Sequence, residues 1–270
     1  MTVPVEMAGG KLLVDQPAPS VTRLCLNRPD ERNALDHELL DALASKIAEL
    51  GSDDSVRCLI ITGSGKAFSA GYDISGIPED TFETDAEALV AHPFTAALDS
   101  LAAFEWPTVA ALNGHALGGG LELALTCDLR ICSSEARLGM PPAKLGLVYG
   151  HTGIQRFVDA IGVPATKELF LTGRTVDAEW ALRTGLVNRV TPTDSVAEEA
   201  EETSIEIAGN APLSIKGNKH AIDTINSWPR LTPEQTTELI ELREASFASR
   251  DMREGISAFS EKRKPEWEGR

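Results

Sequence analysis

The sequence predicts an α/β core followed by a helical C-terminal region. Three observations carry this prediction. Continuous apolar strands alternate with amphipathic helices, glycine-rich loops directly follow strands, and the pattern turns charged and helical after Asp194. With 270 residues, the chain suffices for one large domain or two small ones. The change of pattern divides it into a core over 1–210 and a helical region over 211–270.

Lys11–Val14 and Val21–Leu26 are β-type runs joined by the turn-rich link Asp-Gln-Pro-Ala-Pro-Ser, which predicts a hairpin. The polar loop NRPDERNAL follows. Asp36 can cap the next helix, on which Leu39, Leu40, Leu43, Ile47 and Leu50 share one face. RCLIIT (57–62) and PTVAAL (107–112) are continuously apolar, as strands covered on both faces are. Between them, Ala86–Phe104 reads as helical, perturbed near Pro93. After the second strand come three glycines, a short helix to about Thr126 and a third strand, DLRICS (128–133). GHTGIQRFVDAIG is a helix between glycine stops, and a further helix runs from an Asp177 cap to a Gly185 stop. Beyond the break at Ala211-Pro212-Leu213, helices are expected at Asn218–Ile225, Pro233–Ala248 and Met252–Lys262.

Composition excludes some function classes. The 42% hydrophobic and 24% charged content is that of an ordinary globular protein. A net charge of −16 argues against nucleic acid as a partner, while leaving room for a local basic cluster that holds a small anion. The four cysteines, Cys25, Cys58, Cys127 and Cys132, lie in or beside apolar runs and lack zinc-site spacing. They read as small buried hydrophobes of a reducing compartment. Neither a signal peptide nor an apolar run near the ~20 residues of a membrane span is visible. The expectation is a cytoplasmic protein with no membrane partner. The five histidines are scattered, so no metal is expected, and there is no G-x-S-x-G nucleophile elbow.

The chemistry concentrates at GHALGGGLELAL, Gly114–Leu125. Glycine-rich backbone running from a strand into a helix leaves N–H groups without intrahelical partners, at the positive end of the helix dipole. Glycine also lets another molecule approach that backbone. The stretch is neither a P-loop nor a dinucleotide fingerprint. Two readings stay open: a packing contact between helix and sheet, or an anion site. Glu122, flanked by Leu121, Leu123 and Leu125, suits a partly buried acid whose raised pKa fits general acid–base work. FSAGYDI (68–74) follows the strand RCLIIT and has the same character. Two such loops can each present one N–H to a single oxygen, the design of an oxyanion hole.

In order and spacing, NRPDERNAL, KAFSAGYDI, NGHALGGGLELAL with its following CD, KLGL, LTGR, DAEWALRTGLVNRV and REGISAFSEKRKPEW strongly resemble the enoyl-CoA hydratase/isomerase (crotonase) superfamily from about Lys11 to Trp267. The resemblance implies a spiral of ββα units with a C-terminal trimerisation region, often paired into hexamers. It implies an acyl-CoA thioester substrate, an enolate intermediate and no cofactor beyond the coenzyme A of the substrate. It further implies oxyanion N–H groups on Tyr72 and Gly119, and Glu122 as the acid/base. Backbone around Ala70, Gly71, Asp73 and Ile74 would meet the coenzyme, and Lys262 its phosphates; a solvated charge run is the other reading of Lys262.

The match breaks at GMPPAKLGL. A hydratase of this family carries a second glutamate where Pro142 stands, and the nearby Lys144, Tyr149 and His151 supply no carboxylate. A single base still suffices to shuttle a proton in a double-bond isomerisation. MPPAKLGLVYGHTGIQRF and KRKPEW resemble the family's methylmalonyl-CoA decarboxylases, with Tyr149 matching their tyrosine. Those enzymes have histidine where this chain has Tyr72, whose side chain either lines the acyl pocket or points away. Hydratase/isomerase-type double-bond chemistry is the leading expectation. Decarboxylation through Tyr149 and a non-catalytic CoA-ester-binding homologue are the alternatives.

Overall fold

A computed structural model describes residues 3–73, 90–226 and 232–268. The hairpin is present: β1 (Val5–Met7), β2 (Leu12–Ala18) and β3 (Val21–Leu26) run antiparallel, with Val14 opposite Leu24. Asp36 caps α1 (His37–Gly51) by accepting from the Leu39 N–H at 2.9 Å, and the five expected residues form the buried face of this helix. β4 (Cys58–Gly63) continues in parallel beside β3 and is followed by the short β5 (Ala67–Ser69). A π-turn at Val90–Phe94 leads into α2 (Thr95–Ala102). The 86–89 part of the expected helix lies outside the described residues.

Next come β6 (Thr108–Leu112), β7 (His115–Leu117) and α3 (Gly119–Thr126). β8 (Leu129–Ser133) and β9 (Arg137–Gly139) precede α4 (His151–Thr172). The latter runs ten residues past the expected Gly162 stop. Gly162 breaks the helix at φ +72, but Pro164 restarts it, since a proline is tolerated in a first turn. β10 (Thr175–Asp177), α5 (Ala178–Thr184) and β11 (Arg189–Thr191) follow. Asp177 caps α5 through the Trp180 N–H, and Gly185 stops it at φ +82, as expected. Four helices complete the chain: α6 (Val196–Gly209), α7 (Pro212–Asn226), α8 (Pro233–Phe247) and α9 (Arg250–Ser260).

The strands form two sheets. One has the order β1-β2-β3-β4-β6-β8-β11, parallel from β3 onward. The other has the order β10-β9-β7-β5. Successive chain segments place one strand in each sheet and then a helix, which is the spiral of ββα units. The larger sheet is apolar on both faces because each face has a cover. Leu59, Ile61, Ala110 and Leu112 join the main core with α1 and α3. Cys58, Ile60, Val109, Ala111 and Ile131 pack against Val196, Ala200 and Ala208 of α6. Cys58, Cys127 and Cys132 are buried, Cys25 is half-buried, and none is in a disulfide. Among the described residues, no helix is long and apolar enough to cross a membrane.

Candidate active site

The two glycine-bearing loops meet. Leu35 donates its N–H to the Gly71 carbonyl at 2.8 Å and accepts from the Asp73 N–H at 3.0 Å, forming a single parallel bridge. That pairing turns the N–H of Tyr72 to the opposite side. Gly71, at φ +94, lies so close to the second loop that a Cβ there would sit 2.8 Å from the Leu117 carbonyl oxygen and 3.2 Å from the Gly119 nitrogen. Gly119 opens α3, where helix geometry provides no carbonyl for its N–H. Neither the Tyr72 N–H nor the Gly119 N–H has an acceptor among the described residues. The two free donors thus sit on adjoining segments.

The polar loop after β3 holds this arrangement. Asn33 is buried; its side chain donates to the carbonyls of Ser64 and Ala67 and accepts from the Arg28 N–H. Arg28 donates to the Ala34 carbonyl and pairs with Asp73 at 2.8 Å. The Ala70 N–H is taken by the Arg32 carbonyl, and the Gly71 N–H by the Ser69 hydroxyl. In this loop the Asp73 carboxylate and several backbone donors are therefore committed to the fold. Ile74 lies outside the described residues. Lys262 is exposed just past the end of α9 and is not part of the cavity described next.

A cavity of about 280 Å³ opens beside these loops. Its polar lining includes Tyr72, Glu122, Tyr149, Arg156 and Arg243, and its apolar lining includes Phe94, Leu98, Leu147, Ile240 and Phe247. The Tyr72 ring crosses Gly119 edge-on to Phe94, so its side chain lines the cavity. Glu122 sits in the first turn of α3 with 3% of its surface exposed. Its Oε2 accepts from the Tyr149 hydroxyl at 2.5 Å, and its Oε1 from Arg156 at 2.8 Å. The Tyr149 hydroxyl also lies 3.2 Å from that of Tyr72. The four groups form one chain: Tyr72, Tyr149, Glu122, Arg156.

Gly153 lets α4 close on this chain, since a Cβ there would stand 2.6 Å from the Tyr149 ring and 2.9 Å from the Glu122 carboxylate. Burial pushes the Glu122 carboxyl above its ordinary range, while the Tyr149 hydroxyl and Arg156 pull it partly back. Burial, and then the Glu122 charge, push both tyrosines well above theirs, so they stay neutral donors. Each carboxylate oxygen still has a free lone pair. The arrangement can therefore accept a proton from a molecule whose oxygen rests on the two backbone N–H groups.

Of the residues expected from sequence, Glu122, Tyr72, Gly119 and Tyr149 come together here. Arg156, Arg243 and Asp99 were not expected. Arg156 lies on the helix that starts just after Tyr149, three residues from Gly153 and so on the same face; that spacing was the available signal. Asp99, largely exposed on α2, is the second acid in the cavity lining, 3.9 Å from Arg156. Pro142 is buried in the 3-10 turn Pro142–Leu145, where its carbonyl accepts from the N–H groups of Gly146 and Leu147. A larger open groove of about 1060 Å³ between α4 and α7 contains neither glycine loop nor Glu122, so the chemistry belongs to the smaller cavity.

Known proteins resemble this chain in sequence and in fold. The family model described as enoyl-CoA hydratase/isomerase matches residues 17–270. A probable enoyl-CoA hydratase (echA8) of Mycobacterium tuberculosis is 40% identical over 244 residues, which are 90% of this chain and 93% of that protein. Among solved structures, a methylmalonyl-CoA decarboxylase in complex with 2-nitronate-propionyl-CoA superposes with a TM-score of 0.87 at 27% identity, over 96% of this chain and 99% of that one. An enoyl-CoA hydratase from Bacillus anthracis does so at 0.75 and 33% identity, over 96% and 100%. The ordered motifs, the two-sheet spiral and the family match together make this chain a member of the enoyl-CoA hydratase/isomerase family, whose chemistry is that of acyl-CoA double bonds.

Proposed function

We propose that this enzyme moves a double bond in an acyl-CoA thioester by a proton shuttle through Glu122. The observation that carries the reading is one buried carboxylate beside two backbone N–H groups that have no acceptor among the described residues. The thioester oxygen takes the N–H groups of Tyr72 and Gly119. Glu122 removes a proton from the acyl chain, and the electron pair moves onto the thioester oxygen as an enolate. The two donors stabilise that developing charge in a water-poor site. Glu122 then returns the proton at a different carbon, leaving the double bond shifted and the base regenerated. Tyr149 and Arg156 hold the carboxylate in place. The shuttle transfers no electrons between molecules, so it needs no cofactor beyond the coenzyme A of the substrate.

Pro142 supports isomerisation over water addition, because it stands where hydratases of the family carry their second glutamate. Exposed apolar residues on α7, Leu213, Ile222 and Ile225, support self-association as a trimer or hexamer, which the mass measured by light scattering tests. One observation favours decarboxylation as a second reading: Tyr149 lines the cavity in a fold close to that of a methylmalonyl-CoA decarboxylase.

Incubation with hex-3-enoyl-CoA, crotonyl-CoA and methylmalonyl-CoA, with products followed by mass and NMR, separates the readings. Conversion of hex-3-enoyl-CoA to hex-2-enoyl-CoA is expected. Water addition to crotonyl-CoA at an enzymatic rate, without isomerisation, overturns the role given to Pro142. Release of CO2 from methylmalonyl-CoA alone establishes the second reading. Tight binding without turnover of any of the three identifies a non-catalytic CoA-ester-binding protein.

A further inference from the structure

Among the described residues, Arg243 is the cavity-lining guanidinium that the catalytic chain does not employ. Arg156 is committed to Glu122, with Asp99 nearby. Arg243 projects from α8, lies against the Gly150 turn that follows Tyr149 and stacks over the Phe247 ring at 6.0 Å. Its guanidinium has no acid partner among the described residues, in a chain with 41 acidic and 25 basic side chains. A guanidinium keeps its charge at any working pH and presents a planar fork that matches a carboxylate. A half-buried one that faces a substrate cavity and lacks a partner is poised for an anion. The first turn of α4, which no side chain caps, faces the same cavity and adds charge of the same sign.

The position along the acyl group follows from electrostatics. A carboxylate on the carbons next to the thioester would sit beside Glu122 and be repelled. One further along the chain reaches the Arg243, Ile240 and Phe247 side and is attracted. We propose that the acyl group this enzyme selects carries a free carboxylate distal to the reacting carbons, and that Arg243 is the residue that reads it. The inference rests on the reading of this cavity as the acyl pocket.

The test uses two saturated, unreactive thioesters of equal chain length, hexanoyl-CoA and its ω-carboxylated counterpart adipoyl-CoA, titrated calorimetrically. The unmodified protein should bind adipoyl-CoA more tightly, by about 10- to 100-fold, the size of a charge-assisted bond. Arg243→Met should abolish the preference, and Arg243→Lys should keep part of it, which separates charge recognition from damage to the fold. Equal affinity for the two ligands in the unmodified protein, or a preference that survives Arg243→Met, overturns the inference. Equal weakening of both ligands by Arg243→Met also overturns it and assigns the arginine to the phosphates of coenzyme A. Failure of both thioesters to bind the unmodified protein removes the acyl-pocket reading itself, a result distinct from binding without preference.

Discussion

Replacing Arg156 by methionine removes one donor and, among the described residues, the only positive charge in contact with Glu122. The pair is 2.8 Å apart, with the Glu122 side chain 4% exposed and that of Arg156 25% exposed. Breaking a fully buried pair from one side costs about 3–5 kcal/mol. Here the exposure of Arg156 lets water screen the pair, and Glu122 escapes part of the penalty by taking a proton. About 1–3 kcal/mol at pH 8 remains, on the order of 5 °C in melting temperature for a chain of this size. Burial already holds the native Glu122 carboxyl above its ordinary range. Between the unfolded and native values the native state binds more protons, so this group lowers stability as pH rises through that window. Loss of Arg156 carries the native value higher and widens the window upward. The stability deficit of Arg156→Met should therefore be large at pH 8 and shrink at pH 5. Thermal melts at both pH values measure it. The acid limb of kcat/KM should move to higher pH in the same variant. An equal deficit at the two pH values would refute the coupling between Arg156 and the Glu122 charge.

Two further substitutions probe the oxyanion donors. Gly119→Ala places a Cβ 2.8 Å from the Tyr72 ring and should displace the ring and the N–H beside it. A loss of about 10²–10³ in kcat is expected, the size seen when one oxyanion donor is removed; steady-state kinetics measures it, and an unchanged kcat would contradict the placement. Arg28→Met removes the ion pair to Asp73 and loosens the loop that aims the Tyr72 N–H. The expected result is a kcat lowered by about 10- to 100-fold, as misplacement of a positioning group produces, in a protein whose circular dichroism spectrum is unchanged.

What the sequence revealed followed the range of the interactions. The Asp36 and Asp177 caps each act over three residues, so they are visible in a short window. The doubly covered strands β4 and β6 are apolar throughout, whatever covers them. The strands of the second sheet, β5, β7, β9 and β10, are three residues each, too short to show a period, and KAFS and HAL read as loop. Glu122 was legible because an acid in a leucine run needs a reason. Tyr149 was singled out through the family resemblance, but its bond to Glu122 was not legible, and Arg156 was missed, because the two reach Glu122 from 27 and 34 residues away. Arg243 enters the cavity from a helix that begins more than a hundred residues after Glu122, and no local pattern announces that.

The account stands most directly on Glu122. Its substitution by glutamine keeps the shape and an acceptor for Tyr149 but removes the base. The decisive measurement is the rate of conversion of hex-3-enoyl-CoA to hex-2-enoyl-CoA by the unmodified enzyme and by Glu122→Gln, at equal folded concentration and saturating substrate. The account predicts a loss of about 10²–10⁴ in kcat, the contribution of a positioned acid/base. An unchanged kcat in Glu122→Gln would contradict it.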